Sequence, residues 1–418
     1  MRAPLVVFFS LLLTACSHFE REGNLGARVS SASCIAAAAP WILGEAASFA
    51  TEEGSTPVLR AVAYNIHSGF GPRRGLWRSR AAAEGYLNGI AQSIAAAHAS
   101  PVDVVALNEV DFPARRSGGF DQARFLADAL ERLTAQRYEV IYGETWRRDT
   151  TGVEVRFGNA ALVRHPVLAS KSCLYDDTRG CDMSAPADGM PALRAAGWFN
   201  RLTREARGLI KLTLDFHGRP VDVIVTHLDA FVLPEREAQA AHLLRRFVDP
   251  QRTTIVLGDV NAVPTIMTHT RAFFAADRTH DILTSGTLAD ARVLYDSFRG
   301  RSDFRVWATY PAQAPVWPLD AALGSLDLTP LDVRVLDAVY SDHRGLYVQY
   351  RLTDDPAVIA AQRTRHNAIR RRQLAQLLDC DLVGSTRVAK IGWLKEGTSF
   401  FDLESPAEPP TAQVASPL

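Results

Sequence analysis

Between Val58 and about Leu352 the chain repeats one pattern: a short apolar run that stops on a polar side chain. Runs of this kind are Val58–Tyr64, Val102–Leu107, Tyr138–Tyr142, Ala160–Val163, Ile210–Leu214, Val221–Val225 and Thr254–Leu257. They are short and mostly apolar, and read as strands. Three longer stretches between them have helical spacing. Arg80–Ala97 carries Tyr86, Leu87, Ile90 and Ile94 on one face, with Ser79 placed to cap its start. Asp121–Leu133 aligns Phe125, Leu126 and Leu130, and Pro234–Phe247 lies between two strands. Strands that partly alternate with helices and partly form hairpin-like pairs predict two sheets sandwiched between helix layers.

The polar residues that end these runs carry the chemistry, because function in α/β architectures gathers just beyond strand ends. Six segments stand out: Ala63-Tyr64-Asn65-Ile66, Ala106-Leu107-Asn108-Glu109, Gly158-Asn159-Ala160, Thr226-His227-Leu228-Asp229, Gly258-Asp259-Val260-Asn261 and Ser341-Asp342-His343. The last follows the apolar Val339-Tyr340, read as a sixth strand end, and Gly158 is read as opening its strand. Two residues apart on extended backbone, Asp259 and Asn261 are expected to face one side and grip one reacting group. Glu109 and Asp342 supply hard oxygens suited to Mg²⁺ or Mn²⁺. His227 and His343 supply imidazoles able to donate to a phosphoryl oxygen. The sequence has no GxxxxGK[ST], HExxH or GxSxG, which leaves a P-loop, a zincin and an α/β-hydrolase unsupported.

In this order and spacing, the motifs resemble the endonuclease/exonuclease/phosphatase superfamily, the DNase I-like fold. The resemblance runs from about Leu59 to Tyr350. Arg116–Gln122, Glu205-Ala206-Arg207-Gly208, Arg236 and Gln239 also match. It implies an α/β fold, a four-layer sandwich of two mixed β-sheets flanked by helices, with the site at one edge of both sheets. It implies a divalent-metal-dependent phosphoesterase in which Glu109 binds the metal with help from Asn65 and Asp342. Asp259 orients or deprotonates the attacking water, with Asn261 beside it. His227 binds a phosphoryl oxygen. His343 contacts the scissile phosphate or acts as general base, and Asp320 pairs with it. Three positions depart from the family pattern: Asn108 stands where Gln is common, Val260 where Phe is common, and Ala321 where His or Tyr often follows the paired Asp.

Charge bears on the substrate. Lys+Arg and Asp+Glu both number 46, for a formal net charge of zero. This excludes a strongly basic chain that coats nucleic acid and a disordered polyelectrolyte. It leaves a local phosphate site open and disfavours long DNA or RNA, although a nuclease is the nearest variant. The alternative of another class is a surface interaction protein that keeps the fold without the activity.

The ends of the chain have a separate logic. Arg2 precedes the apolar run Leu5–Leu13, which is too short to span a bilayer but has the length of a signal-peptide core. It ends in Leu13-Thr14-Ala15-Cys16, which resembles the bacterial lipobox. That resemblance implies lipidation of Cys16, an envelope lipoprotein and, with Ser17 next, an outer-membrane location. The resulting organisation is a leader over 1–15, a tether over 16–56, the catalytic domain over 57–353, a basic helical extension over 354–404 and a tail over 405–418. The basic extension carries Arg363, Arg365 and Arg370–Arg372, read as a solvated face or as a contact for anionic lipid headgroups or a phosphorylated substrate. Export favours disulfides. Cys173 and Cys181 are expected to close a short polar loop, which would leave Cys34 and Cys380 as a pair, a connectivity that spacing alone does not fix; no CxxC zinc site is present.

Overall fold

A computed structural model describes residues 57–73, 77–150, 153–175, 206–267, 277–300 and 304–377. The leader, the tether, Cys16, Cys34, Cys181, Cys380 and the tail lie outside the described residues. Cys173 is disulfide-bonded; its expected partner, Cys181, is among those outside. No helix among the described residues is long and apolar enough to cross a membrane.

Twelve strands and six helices follow in chain order among the described residues: β1 (Val58–Asn65), α1 (Arg80–Ala95), β2 (Val104–Phe112), α2 (Gln122–Thr134), β3 (Glu139–Thr150), β4 (Val153–Val163), β5 (Val167–Leu174), β6 (Gly208–Phe216), β7 (Arg219–His227), α3 (Leu233–Phe247), β8 (Thr254–Asp259), α4 (Thr279–Leu283), β9 (Leu288–Asp290), α5 (Ala291–Arg299), β10 (Asp320–Ser325), β11 (Leu328–Val335), β12 (Leu346–Leu352) and α6 (Pro356–Leu377). They build two six-stranded sheets, ordered β11-β12-β1-β2-β4-β3 and β5-β6-β7-β8-β10-β9. Each sheet holds one parallel pair, β1/β2 and β7/β8, among antiparallel neighbours. In each pair a helix connects the two strands, α1 in the first and α3 in the second.

Strand alternation explains the continuous apolar runs. On β1, Leu59, Ala61 and Ala63 face the interior between the sheets, where they meet Leu212, Val223, Ile255 and Leu257 of the second sheet. The intervening Val62 and Tyr64 face outward and pack with Leu87, Ile90 and Ile94 of α1. On β8, Val256 packs outward with Leu243 of α3 and Leu283 of α4. Both faces of the central strands are therefore dry, which removes the polar half of the usual two-residue pattern. Ser79 caps α1 as expected, its side chain accepting from the Ala82 N–H.

The local differences have physical reasons. Gly158 does not open a strand but lies within β4. A Cβ there would sit 2.1 Å from the Gly143 carbonyl oxygen on β3, so the close pairing of that hairpin requires glycine. Val339 and Tyr340 form no strand; Asp342 and His343 sit in the loop between β11 and β12. Helix α6 is built onto the body up to Gln373. Its buried residues are largely polar: Gln362, His366 and Gln373, beside Ile369. The Gln362 amide donates to the Leu326 carbonyl and to Thr329 Oγ1, and His366 Nε2 contacts the Thr284 carbonyl. Two further buried polar struts are fixed by pairing. Arg292 is fully buried, bonded to Asp290 and to the carbonyls of Pro318 and Asp320. Asp111 is locked by Arg116, Ser117 and Ser68.

Candidate active site

The C-terminal ends of the two parallel pairs lie at the same edge and bring the polar strand ends together. Asn65 ends β1, and Asn108 and Glu109 lie on β2 where its pairing with β4 shifts register. His227 ends β7 and Asp259 ends β8, and they are register partners. Asp320 opens β10 directly opposite Asp259. The loop before β12 supplies Asp342 and His343.

Asp259 is the hub. Its Oδ2 accepts from Asn65 Nδ2 at 3.1 Å and lies 3.7 Å from His227 Nε2 and 3.5 Å from His343 Nε2. Its Oδ1 accepts the Asn261 N–H at 2.9 Å. That bond closes a tight turn, and Asn261 takes a left-handed φ of 50°. Asp259 and Asn261 therefore do not share a face of an extended segment. The Asn261 amide turns to the Leu228 carbonyl at 3.1 Å. Gly258 just before has φ 136°, and a Cβ there would meet the Thr226 carbonyl oxygen at 2.0 Å. Glycine at this position is required for the strand to approach β7.

His343 forms the second arm. Its Nδ1 lies 2.8 Å from Asp320 Oδ2, and its ring packs against Tyr310 at 4.8 Å between centroids. Burial pulls its imidazolium down, but the carboxylates of Asp320 and Asp259 outweigh that and hold it well above the ordinary histidine range. His227 is driven the opposite way: burial, then the Arg207 guanidinium and His343, keep it well below that range. Burial raises the Asp259 carboxyl to about 7 against the pull of His343.

The third arm is a carboxylate rim. Asn65 Nδ2 also donates to Glu109 Oε1 at 3.0 Å. The Asn65 Oδ1 accepts the His67 N–H, which fixes the orientation of the amide. Asn65 thus faces Glu109 and Asp259 as a donor. Burial, and then the nearby Glu109 charge, raise the Asp342 carboxyl against the pull of His343 and His67. Two hard carboxylates that repel one another, as Glu109 and Asp342 do here, are a donor set a divalent cation fits. Among the described residues, Asp259, Asp320 and His343 are the one group of three carboxylate or imidazole side chains whose ligand atoms lie within 4.8 Å. Because Asp320 and His343 are already bonded to each other, Glu109 and Asp342 are the better cation seat. Glu109 itself is held at φ 56°, backbone strain of the kind that collects at functional sites.

Two residues outside the expected site hold it together. Asn108, fully buried, donates to the Thr226 carbonyl and to Asn159 Oδ1, both at 2.9 Å, and accepts the Asp259 N–H at 2.8 Å. It bolts β2 of one sheet to β7 and β8 of the other. Arg207 contacts His227 Nδ1 at 2.9 Å. The departure from Gln at 108 was the sequence signal for the first, and Glu205-Ala206-Arg207-Gly208 for the second.

Two mixed sheets flanked by helices, with carboxylates and imidazoles converging at one strand edge, define the DNase I-like α/β sandwich. The chain belongs to the endonuclease/exonuclease/phosphatase family, whose model matches residues 62–343. Members of that family are generally metal-dependent phosphoester hydrolases, nucleases among them. Among solved structures, an endonuclease/exonuclease/phosphatase from Beutenbergia cavernae DSM 12333 is 20% identical, with 71% of this chain and 72% of that chain covered and a TM-score of 0.50. A family protein from Leptotrichia buccalis C-1013-b is 16% identical, covering 71% and 99%, with a TM-score of 0.48. The human Nocturnin catalytic domain with bound sulfate is 21% identical, covering 71% and 94%, with a TM-score of 0.45. No curated protein sequence matches the chain.

Proposed function

We propose that this chain is a Mg²⁺- or Mn²⁺-dependent phosphoesterase that hydrolyses its substrate by in-line attack of water, anchored to the bacterial envelope through lipidated Cys16. The observation that carries the reading is the convergence of His227, His343 and Asn65 on one carboxylate oxygen of Asp259, beside the Glu109–Asp342 rim.

Asp259, raised by burial to about 7, takes up the proton of the attacking water. Asn261, tied to Asp259 by its backbone, stands next to that water. His343 is held protonated by Asp320 and works as a donor to the phosphoryl group rather than as a base. His227 binds a second phosphoryl oxygen. Glu109 and Asp342 would hold a divalent cation, which when bound would neutralise charge on the phosphoryl oxygens. Asn65 orients both Glu109 and Asp259 between the two jobs.

The test is turnover of bis-p-nitrophenyl phosphate, plasmid DNA and sphingomyelin by purified protein with Mg²⁺, with Mn²⁺ and with chelator. Metal-dependent turnover that disappears in Asp259→Asn and His343→Ala supports the enzyme. Absence of turnover with either metal on every substrate would leave a fold without the activity. Plasmid nicking alone would make it a nuclease. For the anchor, Cys16→Ser should move the protein from membrane to soluble fractions.

A further inference from the structure

We propose that Arg207 is a positioning residue for catalysis: its guanidinium fixes the tautomer of His227, so that the imidazole always presents an N–H to the reaction centre. The inference rests on the phosphoesterase reading of the site for its kinetic consequence, though not for its structural content.

The geometry leaves one assignment. Arg207 Nη1 lies 2.9 Å from His227 Nδ1, with both residues buried. A guanidinium has five N–H donors and no acceptor. The contact therefore makes Nδ1 the acceptor, and in the neutral ring the proton must sit on Nε2. The opposite side of the ring is compatible with this, since Nε2 faces Asp259 Oδ2 at 3.7 Å, an oxygen that in the ionised carboxylate only accepts. An imidazole set the other way would turn a bare lone pair toward Asp259 and toward any phosphoryl oxygen placed beside it. The positive charge behind the ring supports the neutral state, as does its burial. His227 is thus a neutral donor of fixed sense, while His343, with two carboxylates beside it, is a cationic one.

The local fold aims the guanidinium. Arg207 immediately precedes β6, where Gly208 is the register partner of His227. The Arg207 carbonyl accepts the Tyr175 N–H at 3.0 Å, and Tyr175 Oη meets Thr226 Oγ1 at 2.6 Å. Tyr175 follows disulfide-bonded Cys173 by two residues. The covalently tied end of β5 therefore braces the residue that sets the histidine.

The experiment pairs a spectroscopic readout with a double-mutant cycle. In ¹⁵N-histidine-labelled full-length protein, His227, assigned by its loss in His227→Gln, should show the Nε2–H tautomer. Arg207→Met should convert it to the Nδ1–H form or a mixture of the two tautomers, whereas Arg207→Lys, which keeps a cationic donor, should retain it. On bis-p-nitrophenyl phosphate, loss of a transition-state donor predicts a fall in kcat on the order of 10²-fold for Arg207→Met. In the His227→Gln background, whose amide offers a donor near the Nε2 position, the same change should cost only a few-fold. An unchanged tautomer in Arg207→Met overturns the proposal. So does an equal kcat loss in both backgrounds, which would mean that Arg207 merely supports β6. If no variant, nor the parent, turns over substrate, the phosphoesterase reading fails while the tautomer readout still decides the Arg207–His227 link.

Discussion

Replacing His366 by Gln isolates a buried histidine that docks α6, and the structure sets the size and sign of the effect. His366 is buried, and its Nε2 faces the Thr284 carbonyl at 3.1 Å. Burial, with the charges of Arg370, His280 and Arg363, lowers its pKa from 6.5 to about 4 despite that hydrogen bond. The unfolded chain therefore binds a proton between pH 6.5 and 4 that the folded chain refuses. The contribution is intact above pH 6.5, and stability is lost as pH falls through this window. At about 1.4 kcal/mol per pH unit, the lowering corresponds to about 3 kcal/mol by pH 4. Glutamine keeps an amide donor for Thr284 and cannot titrate. Urea denaturation followed by circular dichroism at pH 7.5, 6, 5 and 4 should show parent and His366→Gln offset by a constant above about pH 6.5. Below it, the parent should lose stability relative to the variant, levelling near pH 4. Parallel curves across the whole range would refute the reasoning.

Asn108→Ala strands the Asp259 N–H and the Thr226 carbonyl in a dry interior. About 2 kcal/mol of stability should go, measured by urea midpoint, with a turnover loss larger than that stability change explains. Asp320→Asn removes the carboxylate that holds His343 protonated and oriented. Its kcat should fall by about 10³-fold at neutral pH with a nearly unchanged KM, read by steady-state kinetics. Glu109→Gln halves the carboxylate rim, so the Mg²⁺ concentration giving half-maximal activity should rise at least about tenfold. Chelation should abolish parent turnover, and added Mg²⁺ or Mn²⁺ should restore it.

The part of this molecule legible in its sequence is the part whose environment is uniform. Strands β1, β2, β7 and β8 are covered on both faces, so they read as apolar runs, and their ends stand out because the polarity changes abruptly there. Asn65, Glu109, His227 and Asp259 were found in this way. Asp342 and His343 were singled out as a strand end as well, but on a wrong premise, since Val339-Tyr340 imitates a strand and lies in a loop; the motif order pointed to them independently. The hidden features are the buried polar ones. Arg292, Asn108, Gln362 and His366 look like surface residues until their partners are known, and those partners are far away in sequence. The spread of Asp259 and Asn261 by a left-handed turn was likewise invisible to simple alternation.

The division of the site between two sheets has a mechanical consequence. Asn65, Glu109, Asp342 and His343 belong to one sheet and its loops, and His227, Asp259 and Asp320 to the other. Within either sheet, hydrogen-bond ladders hold distances rigidly; across the interface, apolar side chains hold them with a few polar links, Asn108 to the Asp259 N–H, Asn65 to Asp259 and His343 to Asp320. A slip of about 1 Å between the sheets would leave every ladder intact, yet for the proposed chemistry it should cost about 10²-fold in rate. The catalytic centre is thus a vernier that reads the alignment of two plates. If the site turns over phosphoesters as proposed, rising temperature or denaturant should abolish that turnover before the circular dichroism of the strands changes, which parallel assays would read.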